Sequence, residues 1–261
     1  MKLLFIGDVT GKPGLSYLEE ILPELVAREC PDLVVANGEN VGPNGRGITP
    51  ALAETLYDAG VEILTLGNHV WDQREVTTLL NCDDRVVRPA NFHPSVPGKG
   101  YTICKVGKQD VAIVNLIGRT FMGLYDCPFT AADRILKEIS EVTPFCFVDF
   151  HAEATSEKLA MGWYLAGRVS AVIGTHTHVQ SSDERILPGG TAYLTDVGMT
   201  GPYDGILGVK KELIIGRFLD SRPVRFELAD GPCQFSAVVI DLDDHGKAKS
   251  ITRIHEVQPS S

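Results

Sequence analysis

Apolar residues fall along this chain in short runs that end at glycine, asparagine or aspartate. Lys2 to Ile6 is one such run, closed by Gly7-Asp8 and followed by the glycine- and proline-rich Thr10-Gly-Lys-Pro-Gly14. Leu15, Leu18, Ile21, Leu22 and Leu25 then recur at three- and four-residue spacing, the period of a helix with one buried face. Leu33 to Ala36 reads as the next buried strand and ends in Asn37-Gly-Glu-Asn40, ahead of the glycine-rich loop Val41 to Gly47. Thr49 before Pro50 marks a helix start, and Leu52 to Tyr57 carries the helix. Val61 to Leu66 is a third strand, ending in Gly67-Asn-His69. Three strand–helix alternations in succession predict an α/β fold with parallel strands.

The second half is more mixed. Tyr101 to Val106 and Val111 to Leu116 read as neighbouring strands around the Gly107-Lys-Gln-Asp110 turn, and residues 117–129 as a loop. Ala131 to Ile139 is helical, Phe145 to Phe150 is a strand meeting His151, and Ser156 to Ala166 is helical again. Val169 to Ile173 is a strand running into Gly174-Thr-His-Thr-His178, and Ala192 to Thr195 is another short one. Val224 to Leu228, Phe235 to Leu242 and Ile251 to Val257 alternate like antiparallel strands, the last two around Asp243-Asp-His-Gly246. With no repeat, low-complexity stretch or linker, the expectation is a single domain over residues 1–258 and a frayed tail at 259–261.

Composition narrows the class. The chain has 261 residues, 44% of them hydrophobic and 22% charged, which is ordinary globular usage. A formal charge of −10 argues against extended contact with nucleic acid, which needs lysine and arginine stripes. An acidic chain can still handle a small phosphate ester where metal ions supply local positive charge. The six cysteines lie far apart without a Cys-x-x-Cys, several of them in apolar runs, so reduced buried thiols are expected. The apolar run at the N-terminus is too short for a signal-peptide core, and no stretch reaches membrane-spanning length. The expected setting is the cytoplasm, with no membrane partner.

The candidate chemistry stands at the carboxyl ends of the predicted strands. These ends carry Asp8, then Glu39 with Asn40, Asn68 with His69, His151, and His176 with His178. Open α/β sheets bind ligands at that edge, so residues distant in sequence can converge there. His176 and His178 stand two apart, and in extended backbone their imidazoles would point the same way. Alone, that pair fits solvated loop histidines, and Asp8 or Asn40 alone fits an ordinary turn. Turn and cap roles do not account for all eight together. Mixed nitrogen and oxygen donors suit manganese, iron or zinc, and the absence of cysteine argues against a thiolate zinc site. Eight donors exceed what one ion uses. Two ions sharing a bridging carboxylate would use nearly all of them, and such a pair can activate water and clamp phosphoryl oxygens.

These blocks resemble the calcineurin-like metallophosphoesterase superfamily. The finer blocks Gly7-Asp-Val-Thr-Gly-Lys-Pro-Gly14, Gly67-Asn-His-Val-Trp-Asp72, Asp149-Phe-His-Ala-Glu-Ala-Thr-Ser-Glu157 and Thr195-Asp-Val-Gly-Met-Thr-Gly-Pro202 are similar to its bacterial YmdB-type branch of 2′,3′-cyclic-nucleotide phosphodiesterases. The resemblance implies a four-layer α/β/β/α sandwich of the metallo-dependent phosphatase type with two divalent ions, iron or manganese. Asp8, Glu39, Asn40 and His178 would hold the first ion. Glu39 would bridge to a second, held also by Asn68, His151 and His176. Water or hydroxide between the ions would attack phosphorus, and His69 would be the general acid for the leaving ribose oxygen. The superfamily usually has Asp-x-His in its first block, where this chain has Asp8-Val-Thr10, and an aspartate where it has Glu39.

The substrate implied is a small phosphodiester such as a 2′,3′-cyclic nucleotide. A phosphomonoesterase on the same scaffold is the alternative, and a metal-holding regulatory or RNA-associated protein with incidental turnover is another. A homo-oligomer is compatible with the sequence. Asp72 could orient His69 or cap a helix. Arg46 and Arg119 could bind phosphate or be solvated. Phe121, Met122 and Tyr125 could stack on a base or pack their own loop. His93, His245 and His255 have no matched partners.

Overall fold

The computed structural model describes residues 1–259, so Ser260 and Ser261 of the expected tail lie outside the described residues. The first half contributes β1 (Lys2–Ile6), β2 (Asp8–Val9), α1 (Gly11–Glu29), β3 (Leu33–Asn37), α2 (Pro50–Asp58), β4 (Ile63–Thr65), α3 (Val76–Cys82) and β5 (Val86–Val87). The second half contributes β6 (Tyr101–Val106), β7 (Gln109–Ile117), α4 (Pro128–Ile139), β8 (Phe145–His151), α5 (Thr155–Leu165), β9 (Ala171–Thr175), β10 (Arg185–Leu187) and β11 (Thr191–Leu194). It closes with β12 (Met199–Pro202), α6 (Lys211–Asp220), β13 (Cys233–Leu242) and β14 (Ala248–Val257).

The strands form two sheets, one ordered β2-β12-β13-β1-β3-β4-β5 with β14 paired to β13, the other β10-β11-β9-β8-β7-β6. Alternate side chains of β1, β3 and β4 split between two cores. Leu4, Ile6, Val34, Ala36 and Leu64 pack under Leu18, Leu22 and Leu25 of α1. Leu3, Phe5, Leu33, Val35 and Ile63 face the other sheet and meet Val111, Ile113, Phe145, Phe147, Ala171 and Ile173. The outer face of that second sheet, with Val114, Val148 and Val172, is covered by Ile135 and Ile139 of α4 and Met161 and Leu165 of α5. The layers are therefore α/β/β/α. Strands buried on both faces explain why β1, β3 and β8 read as continuous apolar runs rather than alternating ones. Thr49 caps α2 as its position before Pro50 suggests, its Oγ1 accepting from Leu52 N at 3.3 Å.

Several expectations change. Val224 to Leu228 is not a strand, and Leu228 makes only an isolated bridge to Val209. Alternation there reflects residues lining a cavity rather than a ladder. Helix α6 went unpredicted because it buries only Ile214 and so lacks a broad apolar face. Strand β13 lies antiparallel beside β1, with Leu3 opposite Ile240, which makes the first sheet mixed. Cys30 and Cys82 are exposed rather than buried, and all six thiols are free. Among the described residues no helix is long and apolar enough to cross a membrane.

Candidate metal centre

Strands β1, β3 and β4 run parallel in one sheet and β8 and β9 in the other, and the predicted donors follow their carboxyl ends, where the two sheets bring them together. Residue 67 has to be glycine for them to meet. A Cβ there would lie 2.4 Å from the His151 ring and 2.5 Å from Glu39 Oε2.

His151 is the centre of the cluster and is fully buried. Its Nδ1 lies 2.9 Å from Thr175 Oγ1, which donates to Asp149 Oδ1 at 2.7 Å. The Asn37 amide donates to the same carboxylate at 3.1 Å. These contacts fix the ring so that Nε2 points at the sheet edge. There it lies 2.9 Å from Glu39 Oε1, 3.0 Å from Asn68 Oδ1 and 3.0 Å from His176 Nδ1. One ring nitrogen carries at most one hydrogen, so it cannot satisfy three lone-pair atoms at once. Nitrogen and oxygen lone pairs converging on one point could hold a cation. Glu39, His151 and His176 bring their ligating atoms within 4.8 Å of one another.

Beside this cluster two oxygens are left over. Asp8 Oδ1 and Asn40 Oδ1 are buried without a hydrogen-bond partner, although their other polar atoms are engaged. Asp8 Oδ2 accepts from His176 N at 3.2 Å, and Asn40 Nδ2 donates to Gly45 O at 2.8 Å. A buried unpaired oxygen costs roughly 1–3 kcal/mol, and a cation beside the cluster would relieve both. His178 lines a cavity beside the cluster together with Glu39, Asn40 and His176, and its Nδ1 is 3.4 Å from Leu207 O.

Charge is balanced internally in this arrangement. Burial would raise Glu39, but the His151 imidazole and the contacts to His69 bring it down to about 2. Burial would depress His151, yet Glu39 and Asp8 carry it up to about 9. His176, desolvated and next to that charged ring, falls to about 3, and burial lowers His178 too. Asp8 is held well above the usual carboxylate range by burial, with Asp196 and Glu39 adding to it.

The His176–His178 turn departs from the expected extended strand end. His176 has φ 100° and His178 φ 63°, both left-handed, so the two rings reach different partners. The turn is pinned from below. Thr177 N donates to Asp196 Oδ2 at 3.0 Å, and Lys158 Nζ, also buried, donates to the same oxygen at 2.6 Å. Strain of this kind persists where surrounding structure over-determines it.

His69 lies outside the converging set but lines the same cavity. Its Nδ1 is 3.0 Å from Asp72 Oδ2, and its backbone N–H donates to Glu39 Oε2 at 2.8 Å. Asp72 thus orients the ring and does not cap a long helix. Glu153, not singled out in the sequence, places Oε2 3.1 Å from His176 Nε2 and lines the cavity. Its position two residues past His151 was the available signal. Arg46 lines the cavity, whereas Arg119 is exposed outside it. Phe121 is 88% exposed, and Met122 and Tyr125 pack against the core, so none of the three lines the cavity.

Residues 4–254 match the model of the YmdB-like protein family. The chain belongs to the YmdB-like family. A 2′,3′-cyclic-nucleotide 2′-phosphodiesterase from Bacillus subtilis is 51% identical to this YmdB-like chain over 97% of it and 96% of the relative. Among solved structures, a hypothetical protein from Thermus thermophilus superposes with a TM-score of 0.93 at 45% identity, covering 99% of this chain and 100% of that one. A novel phosphatase from Mycoplasma pneumoniae gives a TM-score of 0.93 at 34% identity, covering 98% and 93%. Membership of this branch, expected from the blocks around Asp8, Gly67, Asp149 and Thr195, holds.

Proposed function

We propose that the chain hydrolyses 2′,3′-cyclic nucleotides to nucleoside monophosphates. The observation that carries this reading is the convergence of Glu39, Asn68 and His176 on His151 Nε2, beside the orphaned oxygens of Asp8 and Asn40. The residues fit the two cations expected of them. Asn68, His151 and His176 would hold one, Asp8, Asn40 and His178 the other, and Glu39 would serve both. When bound, two divalent ions of iron or manganese supply positive charge to the phosphodiester oxygens and lower the pKa of water toward neutrality.

The chain's own residues orient the substrate and hold the proton. Asp72 accepts from His69 Nδ1–H, which orients the ring, and in its imidazolium form the ring would pass its Nε2 proton to the departing ribose oxygen and return to the neutral Nδ1–H tautomer. Glu39 ties the His69 backbone to the donor cluster, so acid and donors share one rigid frame. The cavity beside them, about 260 Å³, is of a size for part of a mononucleotide. The relative's activity on 2′,3′-cyclic nucleotides supports the substrate class. Six free thiols support a reducing, cytoplasmic setting.

A phosphomonoesterase reading draws on the Mycoplasma pneumoniae likeness, described as a phosphatase. Turnover of a 2′,3′-cyclic nucleotide beside its monophosphate, on protein loaded with manganese, separates the two. Release of inorganic phosphate from the monophosphate with no opening of the cyclic ester would overturn the diesterase assignment.

A further inference from the structure

The cavity has two unlike walls. One carries Glu39, Asn40, His176 and His178 of the donor cluster. The other is apolar, and Leu207, Val209, Phe226 and Leu228 build it. All four come from the excursion between β12 and β13, two strands that are direct neighbours in the sheet. The sheet itself needs only a short turn there. The longer path folds back on itself, with Lys210 N donating to Glu227 O and Ala229 N to Gly208 O, each at 2.9 Å. This clasp holds Phe226, half-buried, at the cavity.

Phe226 does not face bare solvent. The Arg46 guanidinium carbon lies 6.0 Å from its ring centroid and that of Arg217 lies 5.4 Å away. At 6.0 Å the Arg46 contact sits at the outer limit of cation–π attraction. Two van der Waals contacts of ~3.5 Å need a gap of roughly 7 Å, so a flat ring enters between Phe226 and Arg46 after a shift of about 1 Å. Arg46 is exposed and free to give that distance, while its backbone is anchored by Gln73 Nε2 donating to Arg46 O at 3.0 Å. An aromatic face with a guanidinium group over it, both lining the cavity, offers a stacking slot for a nucleobase.

We infer that Phe226, with Arg46 over it, is the base-stacking residue that makes a nucleoside cyclic phosphate, rather than any small phosphodiester, the substrate of this site. The inference rests on the phosphodiesterase reading above and adds its specificity element. Stacking tolerates every base, because each has a π-face, so preference among bases is expected to be weak.

The test compares adenosine 2′,3′-cyclic phosphate with ribose 2′,3′-cyclic phosphate, which lacks the base, on the manganese-loaded enzyme. In wild type the ratio of kcat/KM strongly favours the nucleotide. Phe226→Ala and Phe226→Leu are expected to lower that ratio about tenfold to a hundredfold, acting on KM, and Phe226→Trp to keep it. A ratio unchanged in Phe226→Leu overturns the inference, whatever the variant's overall activity. Wild-type turnover of neither ester would overturn the phosphodiesterase reading and this one with it. Turnover of both with no preference for the nucleotide would overturn this one alone.

Discussion

Glu39 and His69 are joined directly, the carboxylate Oε2 accepting the histidine's backbone N–H at 2.8 Å. The other oxygen, Oε1, lies 2.9 Å from His151 Nε2. One side chain therefore spans the donor cluster and the segment that carries the proposed acid.

His69→Ala removes the proposed acid and leaves the donors in place. We expect bound metal to be retained and kcat for a cyclic nucleotide to fall by about 10²–10⁴. Metal analysis beside steady-state kinetics checks this. Loss of metal in step with activity would make His69 a ligand.

Glu153 acts on His176 from outside, holding Nε2 while Nδ1 faces the cluster. Carboxylates that orient a ligating histidine are worth about 10–100-fold in affinity or activity. Glu153→Ala should weaken manganese binding by that order in an equilibrium titration, and saturating manganese should restore most of kcat. An unaltered dissociation constant would reduce the contact to a surface ion pair.

Gly67→Ala sets a methyl against His151 and Glu39. The apolar layers are far less affected than the donor edge. The variant should fold, with metal content well below wild type and Tm lowered by a few degrees, as about 1 kcal/mol of strain implies. Full metal occupancy would show that the edge relaxes more easily than the geometry suggests.

In metal-free protein the Glu39–His151 pair sets a pH window. Glu39 is depressed to about 2, so its contribution is present above its ordinary value and lost as pH falls through 2. His151 is raised to about 9, so its contribution is complete below its ordinary 6.5 and lost as pH rises through 9. Thermal melts without metal should therefore show Tm declining between about pH 6.5 and 9. His151→Asn should flatten that decline. A wild-type Tm that is constant or rising there contradicts the pairing.

Lys158 and Asp196 are both buried, at 2.6 Å, beneath the His176–His178 turn. Lys158→Met leaves the aspartate unpaired. Removing one partner of a buried pair costs about 3–5 kcal/mol, to be read by urea unfolding of the metal-free protein. A change below about 1 kcal/mol would mean that Asp196 is satisfied by its backbone donors alone.

The strand ends were legible because each is a run buried on both faces and stopped by glycine or asparagine, as in Phe5-Ile-Gly-Asp8. That pattern carries the polar positions with it, so the sequence alone singles out Asp8, Glu39, Asn68 and His151, which the fold brings to one place. Partners across the fold were not legible. Nothing local to Glu153 says that His176 turns toward it, because that turn depends on a left-handed φ held by Asp196. Phe226 was hidden for a related reason. Its segment alternates like a strand, but the alternation serves a cavity wall reached through a helix with one buried side chain. The loop at 117–129 offered more aromatic residues and so drew attention that its packing does not support.

The most direct measurement is the metal stoichiometry of the purified chain after dialysis against manganese, by elemental analysis, in wild type and in Glu39→Ala. Two ions per chain in wild type, with both sites depleted in the variant, is the predicted result. A wild-type stoichiometry of one or none, or a variant that still holds two, would contradict a pair of cations joined through Glu39.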